Sequence, residues 1–542
     1  MAKRFFGAVA AAAVAFAAAA DSLKVTIRPD EAWWGLASGK GTSQPYTSGS
    51  SLELDLFADG YANQTSSLLL SSRGRAVWCD GEVRAKIKDG VISLESENSP
   101  IILSEGHGTL KGAFAFASAR FFPPSGKTPD LMFFSAPQYN TWMELTYNQN
   151  EKDIIAYAES MLKEGLPPGI FMIDDTWQLG YGTWEFDPRR FSDPKGMVDR
   201  LHKMGFKVLL WVCPWVSMDS PAYREIISGK RAWDIRPTMP KGGLYTLADG
   251  SPAPVKWWNG KSAMLDFTHP NAVRWFRREL DRLQRDYGVD GFKFDGGEIG
   301  FYAGSLVAHD KKASVGRQTQ QYARFAVEYP VSEYRSAWQM GGQPIVERLH
   351  DKGHTWKQLQ MLVPDMLAAG ILGHSFVCPD MAGGGSWVAF LPGAPVDEEL
   401  FVRSVQVHAL CGQMQLSASP WRILKSERNR RLVREAVRLR QKFAGYFVET
   451  AKECAKSGEP MIRYLEYSYP GRGYEKINDQ FLLGSKLLVA PVQVKGQTSR
   501  KVAVPPGEWL GDDGSTVSGP ALIEAATPLE RIPHWQLKAS AE

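Results

Sequence analysis

The chain has 542 residues, 44% hydrophobic and 23% charged, with 63 Lys and Arg against 59 Asp and Glu. That apolar content excludes wholesale disorder, and a net charge of +4 is too small for the electrostatic footprint of a nucleic-acid binder. At about 150 residues per domain the length suits three or four domains, or fewer if one is a (β/α)₈ barrel.

The N-terminus carries export features. Lys3 and Arg4 give a positive start, Phe5 to Ala20 carry no charge, and Ala18-Ala19-Ala20 precedes Asp21. This is the order of a secretory signal with a small-residue cleavage site. Residues 1–20 are therefore expected to be removed, and the mature chain to reach the periplasm or the outside. The uncharged run of 16 residues falls short of the roughly 20 that span a bilayer. No later stretch reads as a membrane span.

Residues 21–128 are expected to form a β-sandwich. Leu23–Arg28, Ser51–Phe57, Val83–Lys88 and Val91–Glu95 read as short strands, with Lys88-Asp89-Gly90 as a hairpin turn. Residues 129–446 alternate strand and helix patterns. Gly169–Asp174, Phe206–Val212, Val289–Asp295 and Ile371–Cys378 are apolar runs, and helices are expected over Asp193–Lys203, Ala272–Tyr287 and Met361–Gly370. That rhythm predicts a (β/α)₈ barrel, whose strand ends converge on one face. Over residues 447–542 strands return at Phe481–Leu483, Lys486–Pro491 and Lys501–Val504, and a second β-sandwich is expected. The five cysteines, Cys79, Cys213, Cys378, Cys411 and Cys454, are scattered and contain no C-x-x-C. They permit one or two bridges, and three of them sit in apolar runs that suit buried thiols.

Acids cluster at the predicted strand ends. Asp174 and Asp175 follow Gly-Ile-Phe-Met-Ile, Asp295 follows Gly-Phe-Lys-Phe, Asp351 follows Pro344–His350, and Asp380 precedes Gly383-Gly384-Gly385. Carboxylates collected on one barrel face suit glycoside cleavage, which needs one carboxyl as nucleophile or base and one as acid. Any single one of them equally fits a helix cap or a loop salt bridge.

The stretch from Gln138-Tyr139-Asn140-Thr141-Trp142 to Pro420-Trp421 resembles glycoside hydrolase family 31, the retaining α-glycosidases. So does Gln480-Phe481-Leu482-Leu483-Gly484 with Leu488-Val489-Ala490-Pro491 and Pro505-Pro506-Gly507-Glu508-Trp509. The resemblance implies a barrel flanked by β-sandwiches. Lys293-Phe294-Asp295-Gly296-Gly297-Glu298 matches the family's nucleophile motif and makes Asp295 the nucleophile. Arg335-Ser336-Ala337-Trp338 opens the acid/base motif, whose Asp falls sixteen residues after the Arg, at Asp351, with Trp356 following in register. The resemblance also implies that Asp174, Arg335 and Asp380 line the sugar pocket, with Asp175 and Lys293 beside them. Trp142, Trp177, Trp215 and Trp421 are candidate pocket walls. Double displacement then requires Asp295 ionised, Asp351 protonated, and the two carboxyls about 5–5.5 Å apart.

Several positions depart from the family's α-glucosidase pattern. Ser417 stands where a substrate-binding His is common, Cys213 replaces an Asp, Lys293 replaces a Trp, and His350 replaces a Gly. Lys-Phe-Asp-x-Gly-Glu and Gln-x-Ser…Pro-Trp instead resemble the myogenesis-regulating glycosidase branch, which implies α-galactosidase activity, with α-glucoside or α-xyloside cleavage as alternatives. The expected partner is an oligosaccharide or glycan, and no metal or organic cofactor is called for. His350 and His354 have zinc-protease spacing, but Gly353 weakens the helix that chemistry needs. The competing class is a catalytically silent carbohydrate-binding protein, whose mark would be loss of Asp295 or Asp351.

Overall fold

The computed structural model describes residues 21–59, 63–97, 99–231, 237–302 and 304–538. The expected export signal lies outside the described residues. Eight parallel strands form the barrel: β1 (Gln138–Asn140), β2 (Ile170–Ile173), β3 (Lys207–Val212), β4 (Gly291–Phe294), β5 (Ser332–Tyr334), β6 (Val346–Arg348), β7 (Val377–Cys378) and β8 (Gln415–Leu416). They pair in the order β7-β6-β5-β4-β3-β2-β1-β8, and a parallel bridge between Met381 and Gln415 joins the ends. The strands are short and almost wholly buried, because side chains fill the lumen on one face and helices cover the other.

Register decides which residues meet at the rim. Phe294 of β4 lies opposite Val212 of β3 and Tyr334 of β5. The next residue on each strand is Asp295, Cys213 and Arg335, so the three leave the barrel side by side. The helix Pro270–Tyr287 shows how the outer layer forms. The His269 ring accepts from the Asn271 amide, Pro270 occupies the first turn, and Gly288 closes the helix at φ 80°. Its buried Ala272, Trp275, Phe276, Leu280 and Leu283 follow the 3.6-residue period. The run Ile371–Cys378 divides: Ile371 ends the helix Leu362–Ile371, the chain turns at Gly373, and only Val377–Cys378 is strand.

The N-terminal residues form two facing sheets. One contains Ser22–Thr26, Val91–Glu95, Arg84–Lys88 and Leu52–Asp55. The other contains Trp33–Ala37, Gln64–Ser71, Ala76–Cys79 and Ile101–Ser104. Val25, Leu54, Ile87 and Ile92 pack against Trp33, Leu69, Val77 and Ile101 between them. Asp89 and Gly90 both have positive φ, the geometry of a two-residue type I′ hairpin turn. The barrel adds a strand of its own to this second sheet. After β5 the chain runs out as Ala337–Trp338 and pairs in parallel with Gln64–Thr65.

Beyond the barrel, the helix Glu427–Ser457 runs for 31 residues and passes through position 446. The strands that follow form one six-stranded antiparallel sheet, from Ile462–Arg463 to the long pair Ser499–Gly511 and Thr516–Ala526. All five cysteines are buried free thiols. Among the described residues, no helix is long and apolar enough to cross a membrane.

Candidate active site

A cavity of about 310 Å³ opens at the C-terminal end of the barrel. Asp174, Asp175, Lys293, Asp295, Arg335, Arg348 and Asp351 make its charged floor, and Trp142, Tyr147, Trp211, Trp258 and Trp387 are the aromatic side chains around it. Asp295 sits one residue past β4. Its Oδ2 accepts from Trp211 Nε1 at 2.9 Å, and its Oδ1 faces Arg335 Nη1 at 3.2 Å and Arg348 Nη2 at 3.4 Å. Burial would raise this carboxyl, but Arg335, Lys293 and Arg348 outweigh it and hold the group below the usual range. Asp295 is thus ionised and fixed in direction, as a nucleophile must be.

Asp351 lies deep in the cleft, yet 45% of its side chain faces open space. Arg348 Nη1 donates to its Oδ1 at 2.6 Å, and Arg335 Nη1 stands 3.6 Å from its Oδ2. One nitrogen of Arg335 therefore reaches both carboxylates, which keeps those two oxygens within about 7 Å of each other and accommodates the 5–5.5 Å of a retaining pair. Arg335 is itself held by Glu298 at 2.6 Å and lies over the Trp258 ring. On the opposite wall, Lys293 Nζ donates to Asp174 Oδ2 at 2.6 Å, both side chains being buried. Asp175 accepts from Thr176, Gln178, Tyr181 and Asn259, and burial pushes its carboxyl up to about 7.

Residues 136–450 match the glycosyl hydrolases family 31 TIM-barrel domain, and residues 458–539 match that family's C-terminal domain. The chain belongs to glycoside hydrolase family 31. Among family 31 relatives, the myogenesis-regulating glycosidase of Mus musculus is 31% identical over 428 residues, covering 76% of this chain and 57% of that protein. The α-xylosidase XylQ of Lactiplantibacillus pentosus is 26% identical over 426 residues, covering 71% and 51%. The chain thus spans about half the length of the curated relatives it matches. A family 31 α-xylosidase from a soil metagenome, solved with xylose, superimposes with a TM-score of 0.81 at 22% identity, over 96% of this chain and 79% of that one.

The family motifs locate some residues and misplace others. Asp295, Asp351, Asp174, Asp175, Lys293, Arg335 and Trp142 all line the cavity. Asp380, expected in the pocket, does not line it: its side chain is 0% exposed, packed behind Asp351 with Gly385 between them. Trp215 is also outside the lining. It is fully buried, stacked on Trp257 beneath Gly296. Trp177 is buried too and spends its indole N–H on the Trp211 carbonyl. Trp421 lies in the short helix Pro420–Ile423 and packs against the core. Trp215 and Trp177 fill core spaces that a sequence cannot distinguish from a pocket wall.

In the site as it stands, charge opposes the protonation expected of Asp351 as the acid. Burial favours the neutral form, but Arg335 and Arg348 overcome it and hold the carboxyl well below its ordinary range. Ser417 is buried and accepts from the Met143 amide at 2.8 Å, and Cys213 is buried with its thiol toward the Trp215 carbonyl. His354 has both ring nitrogens occupied, by the Gly383 carbonyl and the Asp397 amide, and His350 to His354 is irregular chain.

Four contributors escaped the sequence. Arg348 follows Glu347 as a second charge in the buried strand Val346–Arg348, three residues before Asp351, and that spacing was a usable signal. Trp258 sits at the turn between Val255–Trp257 and Gly260–Met264, where the Trp-Trp-Asn-Gly run marks a hairpin. Trp211 reads as a core residue of β3. Gln64, in the N-terminal sandwich, had no signal at all. Its buried amide donates to the Arg335 carbonyl at 2.5 Å and the Arg348 carbonyl at 2.9 Å, across more than 270 residues of chain.

Proposed function

We propose that the protein is an exported retaining exo-α-glycosidase that releases terminal α-linked sugars from oligosaccharides or glycans, with α-galactosides preferred. The observation that carries this reading is the pair Asp295 and Asp351, one fixed and ionised on the floor, the other on the open side, bridged by two arginines. Asp295 attacks the anomeric carbon while Asp351 protonates the leaving oxygen, and a covalent glycosyl–enzyme forms. Asp351 then deprotonates water, which releases the sugar with its configuration retained. A cavity at the small end of the range for ligand pockets favours one terminal sugar over an internal segment.

Specificity for galactose is supported by what the floor offers. Neither Ser417 nor Cys213 reaches the cavity, so the hydroxyl contacts that His and Asp would make there are missing. The Lys293–Asp174 pair supplies a donor and acceptors in their place. A site built around particular hydroxyls discriminates strongly, because a mismatch leaves polar groups buried and unpaired.

A panel of aryl α-galactoside, α-glucoside, α-xyloside and α-N-acetylgalactosaminide tests the reading, with the first-formed anomer followed by NMR. The expected result is a kcat/KM for the α-galactoside at least about tenfold above the others, and α product. A tenfold preference for the α-glucoside or α-xyloside overturns the galactose assignment. No hydrolysis on any of them overturns the enzyme reading in favour of a carbohydrate-binding protein.

A further inference from the structure

We propose that Gln64, from the N-terminal sandwich, is a positioning residue: its side-chain amide sets the spacing of β5 and β6 where they reach the rim, and so places Arg335 and Arg348 against both carboxylates. This rests on the glycosidase reading above and deepens it, since a second domain then completes the catalytic centre. Pairing between β5 and β6 ends at Tyr334 opposite Glu347. The next residues on the two strands are Arg335 and Arg348. Each strand stays tied on its outer side, the Arg335 amide donating to the Phe294 carbonyl of β4 at 3.1 Å and the Leu349 amide to the Cys378 carbonyl of β7 at 2.9 Å. Between them, Gln64 Nε2 donates to the Arg335 carbonyl at 2.5 Å and to the Arg348 carbonyl at 2.9 Å. One NH₂ group thus stands in for the next rung of the ladder.

Gln64 is itself held on every side. It is fully buried, and its Oε1 accepts from Ser38 Oγ at 2.8 Å. With the amide oxygen taken by that hydroxyl, both Nε2 protons are left for the two carbonyls. Its backbone lies in the strand Gln64–Ser71, alongside the barrel segment Ala337–Trp338. There the Ala337 amide donates to the Asn63 carbonyl at 3.0 Å and the Gln339 amide to the Thr65 carbonyl at 3.2 Å. Gln64 does not line the cavity, so it acts only through the strand ends it joins.

Those strand ends carry the two side chains that touch both acids. Arg335 Nη1 is 3.2 Å from Asp295 Oδ1 and 3.6 Å from Asp351 Oδ2. Arg348 Nη2 is 3.4 Å from Asp295 Oδ1, and its Nη1 is 2.6 Å from Asp351 Oδ1. Three of the four contacts are already long, so a drift of about 1 Å between β5 and β6 breaks them, and a misplacement of that size costs on the order of 10²-fold in rate. Lys293 from β4, Cys213 beyond β3, Glu298 beyond β4, Tyr322 from the helix Val315–Ala323, His350 beyond β6 and Asp380 beyond β7 also face the acids. Only the two arginines hang from carbonyls that Gln64 holds.

The test compares Gln64→Met, which keeps the length and loses the donor, with Gln339→Met, on the aryl α-glycoside that wild type cleaves best. Gln339 Nε2 donates to the Cys79 carbonyl at 2.7 Å, so its variant removes a hydrogen bond between the same two domains without touching Arg335 or Arg348. Gln64→Met is expected to lower kcat by about 10–10²-fold, with KM within about threefold of wild type. Both limbs of its kcat pH profile are expected to move up by about half a unit or more, because loosened arginines favour the ionised carboxyls less. Gln339→Met is expected to lower the melting temperature and leave both limbs in place, since a smaller folded fraction scales kcat without moving them. A Gln64→Met enzyme with wild-type kcat, or one whose kcat falls with unmoved limbs, overturns the proposal. Gln64→Asn keeps an amide too short to reach both carbonyls. Should Gln64→Met fail to fold, the limbs of Gln64→Asn decide: moved limbs support the positioning role and unmoved limbs overturn it. A wild type that hydrolyses none of the aryl α-glycosides overturns the glycosidase reading itself, a different outcome.

Discussion

Asp295 and Asp351 differ in what each is free to do, and the difference predicts separate phenotypes. Asp295 is held by Trp211, Arg335 and Arg348. Asp295→Ala is expected to lower kcat by about 10⁶ on every substrate, the scale seen when a covalent nucleophile is removed. A folded variant with near-native turnover would refute the assignment. Asp351→Ala removes acid assistance, so the loss is expected to be about 10²–10⁴-fold for a sugar leaving group and much smaller for a nitrophenyl one. Azide is expected to restore turnover and to give an α-glycosyl azide, since it attacks the glycosyl–enzyme without a base. Impairment independent of the leaving group and insensitive to azide would remove the acid/base role. These two aspartates were legible from motif spacing alone. Arg348 was legible only in part, because a charge within a strand shows that something is paired there but not with what.

At the scale of the element, the loop after β4 is fixed by close packing as much as by charge. Gly296 follows the nucleophile with φ +76°, and a Cβ there would stand 2.2 Å from the Trp215 ring. Trp215 cannot yield, being fully buried against Trp257 and edge-on to Phe301. Gly296→Ala is therefore expected to cost about 1–3 kcal/mol of stability and to lower kcat by displacing Asp295. A melting temperature and kcat both equal to wild type would show that the loop relaxes freely. The barrel strands and the helix Pro270–Tyr287 were visible in the sequence, since buried parallel strands and amphipathic helices leave periodic apolar patterns. The strand Ala337–Trp338 was not, because two residues that complete another domain's sheet carry no pattern of their own.

Across the whole molecule, buried acids set the dependence of stability on pH. Burial pushes Asp175 and Glu466 up to about 7, and Asp365 up to about 6. Each folded value lies above its unfolded one, so the native chain binds more protons and stability falls as pH rises through the folded values. His350 and His374, held down to about 3 and 4 by burial, act in the opposite sense, but only below roughly pH 6.5, where an unfolded histidine takes up its proton. The melting temperature is therefore expected to drop between pH 6 and pH 8, and a flat or rising profile over that window would contradict these assignments. By itself the sequence determined the barrel, the β-rich flanks, the family, and which two carboxylates stand at the family's motif positions. These follow from local periodicity and fixed spacing, which survive in one dimension. Only the tertiary structure decided that Trp215 and Trp177 are core, that Asp380 lies behind the wall, and that Gln64 and Arg348 hold the two aspartates in place. Those outcomes depend on which distant segments share a space, and packing and charge pairing across hundreds of residues leave no local trace.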